Sequence, residues 1–322
     1  MPEPYPRIVF VGAHEEARLP FEHLLPRSGI IVGLFTLEPE GLAQMSGGID
    51  LTAIALAAGI PVRRGANVNA PESVAWIRNL APDLLLVVGW TQLIKPDLLG
   101  VPRIACLGFH ASLLPKYRGR APVNWAILNG ETETGNTLMA LAPGADEGDI
   151  VCQRRIPIGP EDDCRTIYEK VSLTECEMLD EVLPLIRQGK MPRWKQDSSQ
   201  ATVMPKRRPE DGLIDWNRPV SRIYNWIRAL TRPYPGAFTY LDGRKITIWK
   251  SKIELECKNM GGPIASVHID TDGYPAVVTG DGILKLLEAQ REGEPSVAGN
   301  QAAKTFLKPP ASFETAFAKV AG

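Results

Sequence analysis

An apolar run, Ile104 to Phe109, stops abruptly at His110, and a loop broken by Pro115, Gly119 and Pro122 follows. Histidine changes charge near neutral pH, so a His at such a junction can take or give a proton. A second stretch, Ala142 to Asp149, carries the acids Asp146, Glu147 and Asp149 with Gly144 and Gly148. A carboxylate from this loop, brought beside His110, would hold its tautomer and stabilise its charged form. A solvated acidic turn ahead of Ile150-Val151 is the competing reading, and the residues alone leave both open.

The elements around these residues say what must position them. Leu84 to Val88 is continuously apolar between Pro82 and Gly89. Such runs suit strands covered on both faces, as in a parallel sheet. Arg7 to Val11 and Ile30 to Phe35 read as strands, with Glu15 to Leu25 as a helix between them. A helix follows Asp50 and stops at Gly59, Ile60 to Val62 is a short strand, and Pro71 to Leu80 is a helix. Strands alternating with helices argue a doubly wound α/β sheet, which places His110 at a carboxyl strand end where ligands bind. The turn Gly12-Ala13-His14 is not GxGxxG, so a dinucleotide fingerprint is absent there.

Later, Thr166 to Gln188 reads as a long helix and Val220 to Leu230 as another. Asp242-Gly243 between Phe238-Thr239-Tyr240 and Lys245 to Trp249 predicts a hairpin. Short strands at Pro263 to Ile269, Ala276 to Thr279 and Ile283 to Glu288 predict a small barrel.

Composition removes several classes of function. The chain has 322 residues, long enough for two domains, and a formal net charge of −1 gives no global pull toward nucleic acid. No apolar run approaches the roughly 18 residues that span a bilayer, and the N-terminus has no signal-peptide pattern, so a cytoplasmic protein is expected. Cys106, Cys152, Cys164, Cys176 and Cys257 are scattered without a CxxC pair and read as reduced thiols. The four histidines lie far apart, so no metal site is expected.

The block Phe109-His110-Ala111-Ser112-Leu113-Leu114-Pro115-Lys116-Tyr117-Arg118-Gly119-Arg120-Ala121-Pro122, with Asn124-Trp125, Asn129 to Gly135 and the spaced Asp146, resembles the folate-dependent formyltransferases. That family acts on methionyl-tRNA, glycinamide ribonucleotide and sugar nucleotides, and the block is most like the domain acting on UDP-4-amino-4-deoxy-L-arabinose. The resemblance implies a Rossmann-like catalytic domain over 1–205 and a smaller OB-like C-terminal domain over 206–322. It implies N10-formyltetrahydrofolate as donor and a primary amine as acceptor. His110 and Asp146 become the catalytic pair. Leu86, Val88, Trp90, Gln92, Leu114, Pro115, Arg118, Gly144 and Ala145 become folate contacts. Ser112, Lys116, Tyr117, Arg120, Asn124, Arg207 and Tyr234 become acceptor contacts, with no metal.

One departure is plain. The family pattern is Asn-x-His, and this chain has Gly108-Phe109-His110. Residues two apart share a strand face, so the Asn would point with His110, and that space is expected to be empty here. Gln92 or a water is expected to supply the lost donor. Asn136 is expected to lie tens of ångströms from the Asp146 loop, at about 3.3 Å per residue. The segment Thr36 to Ile49 holds Glu38 and Glu40 but no Lys or Arg. In the tRNA-acting members the matching insert is longer and basic. The expected acceptor is therefore a nucleotide-linked amino sugar for polysaccharide biosynthesis, with no nucleic-acid partner. The alternatives are a methionyl-tRNA formyltransferase, or a paralogue with altered acceptor or lost activity. Homo-oligomerisation is left open.

Overall fold

All five residues of β1 (Ile8–Gly12) are buried, which is why its sequence is continuously apolar rather than alternating. The structure is a computed structural model describing residues 5–27, 29–254 and 262–314. Two units divide the chain. The first holds residues up to 123 with 133–158 and 166–206, and the second holds 124–132, 159–165 and 207 onward.

In the first unit β1 is followed by α1 (Arg18–Leu24), β2 (Ile31–Thr36), α2 (Pro39–Ala43), α3 (Thr52–Ala57) and β3 (Val62–Arg64). Next come α4 (Pro71–Asn79), β4 (Leu84–Val88), α5 (Pro96–Leu99), β5 (Ala105–His110) and β6 (Arg118–Gly119). After α6 (Pro122–Asn129) the chain forms β7 (Glu133–Ala140), β8 (Ile150–Pro157), α7 (Cys164–Arg187) and β9 (Val203–Met204).

The main sheet has the order β3-β2-β1-β4-β5-β7-β8. The first five strands are parallel, while β7 runs antiparallel to β5 and β8 antiparallel to β7. The strand order reverses between β1 and β4. Apolar layers cover both faces. Ile8, Phe10, Leu84 and Leu86 pack with Met178, Leu179 and Val182 of α7, while Val9, Val11, Leu85 and Val87 pack with Val74 and Ile77 of α4. The region expected as one helix over Glu15 to Leu25 is a 3-10 turn at Glu15–Ala17 followed by α1. Pro20 has no N–H to donate to the Glu16 carbonyl, so the α ladder cannot start earlier. Ser172 Oγ donates to that carbonyl instead, at 3.3 Å.

In the second unit α8 (Val220–Leu230) buries Ile223 and Ile227. β10 (Ala237–Leu241) and β11 (Arg244–Glu254) form the hairpin, turned by Asp242 at φ 50° and Gly243 at φ 72°. β12 (Ser266–Ile269), β13 (Pro275–Val278), β14 (Ile283–Arg291), β15 (Val297–Ala298), α9 (Gly299–Thr305) and β16 (Ala311–Ser312) complete it. The sheet order is β10-β11-β14-β13-β12-β16, with β15 on β14. This is the small OB-like C-terminal β domain expected, built as a curled antiparallel half-barrel. Its ends meet where Glu314 N–H donates to Tyr240 O at 2.9 Å. Phe313 stacks on the buried Trp216 there.

Among the described residues, no helix is long and apolar enough to cross a membrane, and no three His, Cys, Asp or Glu side chains could hold a metal ion. Cys106, Cys152, Cys164 and Cys176 are free and buried, and burial pushes the Cys106 and Cys164 thiols up to about 12. Cys257 lies outside the described residues.

Candidate active site

β5 ends at His110, which is 9% exposed. Its Nε2 is 2.7 Å from the Tyr117 carbonyl oxygen. A carbonyl only accepts, so Nε2 carries the proton and, in the neutral ring, Nδ1 keeps its lone pair. Nδ1 faces Asp146 Oδ1 at 3.7 Å, beyond a direct hydrogen bond. The other carboxylate oxygen of Asp146 accepts from Gly119 N–H at 2.8 Å. The pair therefore offers a proton acceptor at Nδ1 and a fixed negative charge that stabilises the ring once it is protonated.

The backbone that builds this pair is conformationally costly. Tyr117 (φ 59°) and Asp146 (φ 54°) are both left-handed non-glycine residues, a geometry that clusters at functional sites. Gly119 has φ 100°, and a Cβ there would meet Met204 O at 2.6 Å. β6 and β9 thus pack too closely for a side chain at that position. Gln196, which sequence reasoning missed, ties the two loops. Its Nε2 donates to Asp146 O at 2.8 Å and Gly148 O at 2.7 Å, and its Oε1 accepts from Arg118 at 2.8 and 3.1 Å. A glutamine 50 residues from its partner leaves no local pattern to read.

Several expected contacts fall elsewhere. Arg118 is buried on Gln196 rather than free for a phosphate or a folate carboxylate. Leu86 and Val88 have side chains inside the core under α7. Leu114 packs with Met139 and Ile150. Gln92 donates to Ala66 O at 2.7 Å and accepts from Val68 N–H at 3.2 Å, so its amide holds that loop. The Gly108 space is filled, since a Cβ there would meet Leu141 Cδ2 at 2.7 Å. A methyl-bearing side chain, not water, covers it. Asn136 is not remote: its neighbour Thr137 pairs with His110 across β5 and β7. Pairing of β7 with β5 brings Asn136 back toward the site, although the chain between it and Asp146 is long when extended.

Ser112 Oγ donates to Lys116 O at 2.7 Å, shaping the loop, and the Lys116 side chain is exposed. Arg120 reaches Thr91 O at 2.9 Å, beside Trp90. Trp90 stands edge-on to Phe35, and its buried Nε1 finds no acceptor among the described residues. Pro115 and Gly144 are half-buried and Ala145 exposed. Asn124, Arg207 and Tyr234 belong to the second unit. Asn124 is buried on Ala229 O at 2.6 Å, and Tyr234 N–H turns onto Thr231 O. Arg207 is sandwiched by Trp125 and Trp226, and burial pulls its pKa down.

The chain matches the formyl transferase family over residues 50–183 and the formyl transferase C-terminal domain over 206–307. The methionyl-tRNA formyltransferase of Geobacter metallireducens is 40% identical over 288 residues, covering 89% of this chain and 91% of that protein. This chain belongs to the formyl transferase family. The Geobacter sulfurreducens methionyl-tRNA formyltransferase is 39% identical over 289 residues, covering 89% and 90%. Among solved structures, HypX from Aquifex aeolicus, in complex with tetrahydrofolic acid, superposes with a TM-score of 0.68. It is 18% identical, and the match covers 95% of this chain and 48% of that one. The sugar 3N-formyltransferase WlaRD gives 0.64 at 18% identity, covering 90% and 99%. Likeness at that identity establishes the shared fold alone.

Proposed function

We propose that this formyltransferase moves the formyl group of N10-formyltetrahydrofolate to the α-amino group of an aminoacyl-tRNA. One observation carries the acceptor: 40% identity to a methionyl-tRNA formyltransferase over nearly the full length of both chains. It favours this acceptor over the expected nucleotide-linked amino sugar. A second reading, a small-molecule amine, keeps one support. The segment 36–49, folded around α2, carries no Lys or Arg, and phosphate-rich partners are bound by basic side chains.

The residues fit the donor. Trp90 presents an aromatic ring with an unpaired indole N–H, the features a hydrogen-bonding pterin would use. Bound folate would supply an electrophilic formyl carbon. His110 Nδ1 would take the proton that the attacking amine loses as the new C–N bond forms, Asp146 would stabilise the imidazolium, and the imidazolium would return that proton to the folate nitrogen as its bond to the formyl carbon breaks. The Tyr117 carbonyl keeps the ring in that tautomer. Purified protein would be given N10-formyltetrahydrofolate with initiator methionyl-tRNA or with a panel of nucleotide-linked amino sugars. His110-dependent formyl-methionyl-tRNA supports the proposal. Formylation of a sugar nucleotide with tRNA untouched overturns it in favour of the second reading.

A further inference from the structure

The loops that carry His110's partners are both tied to one later segment of the first unit, residues 194–204, which follows α7. At its start Trp194 and Ile150 exchange backbone hydrogen bonds of 3.0 and 2.9 Å, which anchors the segment at the first residue of β8, just past the Asp146 loop. At its end β9 pairs in parallel with β6, Arg118 opposite Val203. Between these anchors two side chains, Gln196 and Thr202, reach back to the loops.

Each of them meets a backbone that needs holding. Asp146 (φ 54°) and Tyr117 (φ 59°) are non-glycine residues in the left-handed region, a conformation that persists only where the surroundings over-determine it. Gln196 Nε2 donates to Asp146 O at 2.8 Å and to Gly148 O at 2.7 Å. Thr202 Oγ1 accepts from Tyr117 N–H at 2.8 Å. Thr202 also donates its N–H to Pro115 O at 3.3 Å and accepts from Arg118 N–H at 2.8 Å, so three bonds from one residue fix 115–118.

The chemistry of Gln196 admits one orientation. Its Oε1 receives the buried Arg118 guanidinium at 2.8 and 3.1 Å, and a guanidinium only donates. Its Nε2 faces two carbonyls, which only accept. A primary amide is the side chain that answers both loops at once. The consequence reaches the candidate pair. The peptide held by Thr202 carries the Tyr117 carbonyl, 2.7 Å from His110 Nε2. The residue held by Gln196 carries the carboxylate, 3.7 Å from His110 Nδ1.

We propose that Gln196 and Thr202 are positioning residues for formyl transfer: Gln196 sets where the Asp146 carboxylate stands, and Thr202 sets the tautomer of His110. The proposal rests on the formyl-transfer reading above. Each residue acts through a backbone group, not on the substrate.

Four variants test it in the full chain. Gln196→Glu keeps the oxygen that Arg118 needs and loses the N–H pair, while Gln196→Met loses the pair without adding charge. Thr202→Val keeps the shape and loses the hydroxyl, while Thr202→Ser keeps the hydroxyl. With N10-formyltetrahydrofolate and initiator methionyl-tRNA, both Gln196 variants and Thr202→Val should lower kcat by about 10- to 100-fold, the scale of a misplaced catalytic group, with KM unchanged within about twofold. Thr202→Ser should retain most of the rate. Thermal melts establish that the variants are folded. Added to Asp146→Asn, Gln196→Met should cost little more, because the group it positions is already gone. A rise in KM with kcat unchanged, or a Gln196→Met loss that multiplies the Asp146→Asn loss, would overturn the role of Gln196. A second readout needs no substrate. Long-range proton–nitrogen NMR of the neutral His110 ring reports which nitrogen holds the proton. Wild type and Thr202→Ser should show the Nε2–H form, and Thr202→Val a mixture. An unmixed Nε2–H ring in Thr202→Val would overturn the role of Thr202. Wild type that formylates no amine yet shows this NMR pattern would sink the transfer reading and leave the hold of Thr202 on the ring standing.

Discussion

In the proposed transfer His110 and Asp146 would work as one device, since neither has a use alone. The imidazole needs the charge that stabilises its protonated form, and the carboxylate is held 3.7 Å away by Gly119 for that purpose. His110→Ala and Asp146→Asn should each lower kcat/KM by roughly 10² or more, with the double variant costing little beyond either single one. Losses that multiply in folded proteins would refute the coupling. Gly108 sets a second test at this scale. An Asn there would drive its Cβ into Leu141, so Gly108→Asn should cost about 1–3 kcal/mol of stability, the usual range for overpacking. Adding Leu141→Ala should recover most of that loss. Urea melts showing Gly108→Asn as stable as wild type would mean that Leu141 is not what fills the space. His110 at the end of an apolar run and Asp146 in a Gly-rich loop were legible as candidates, and the family resemblance, not their spacing, joined them as a pair. What lies around it was not. Leu141 over Gly108, Gln92 on Ala66 and Gln196 on Asp146 are tertiary meetings that no local spacing encodes.

Elements were easier to read than their partners. The long helix, the Asp-Gly hairpin and the buried strands follow from periodicity and turn chemistry. The antiparallel edge of β7 and β8 does not, since a buried strand reads alike in either direction. Yet that edge decides what α7 meets. It brings Asn136 onto Glu175, an acid buried in the middle of a helix. Burial, then the nearby charge of Glu16, raises the Glu175 pKa well above 4.5, and Asn136 opposes the shift only in part. The sign follows from proton binding. Above pH 4.5 the folded chain holds a proton on Glu175 that the unfolded chain has released, so this group's contribution falls as pH rises from 4.5 toward the folded pKa. Glu175→Gln stays neutral and escapes that loss. Its stability should match wild type near pH 4 and exceed it increasingly as pH rises from there toward the folded pKa. Urea melts across that range check it, and a constant offset or a widening deficit for the variant would contradict the buried, protonated acid.

At the scale of the whole molecule, a linear cut at 205/206 does not follow the packing. Residues 124–132 and 159–165 belong to the unit that begins at 207. Their role there is structural and specific. Asn124 donates to Ala229 O at 2.6 Å, and Arg222 to Leu128 O at 3.2 Å. Tyr224 donates to Pro160 O at 2.8 Å, Arg228 to Asp162 O at 2.6 Å, and the Cys164 thiol to Thr231 O at 3.4 Å. Trp125 supplies one side of the aromatic sandwich on Arg207. All these partners lie on α8 or at its ends. Cutting the chain before 207 therefore strips α8 while leaving the curled sheet and its Trp216–Phe313 stack intact. A fragment of residues 207–322 should keep β-type circular dichroism, bind a hydrophobic dye more strongly than the full chain and unfold at lower denaturant with a shallower transition. Within the full chain, Asn124→Ala should cost about 1–3 kcal/mol, the penalty for leaving a buried carbonyl unpaired. A fragment that unfolds as cooperatively as the intact protein, at the same midpoint, would show that the two early segments decorate the second unit without stabilising it.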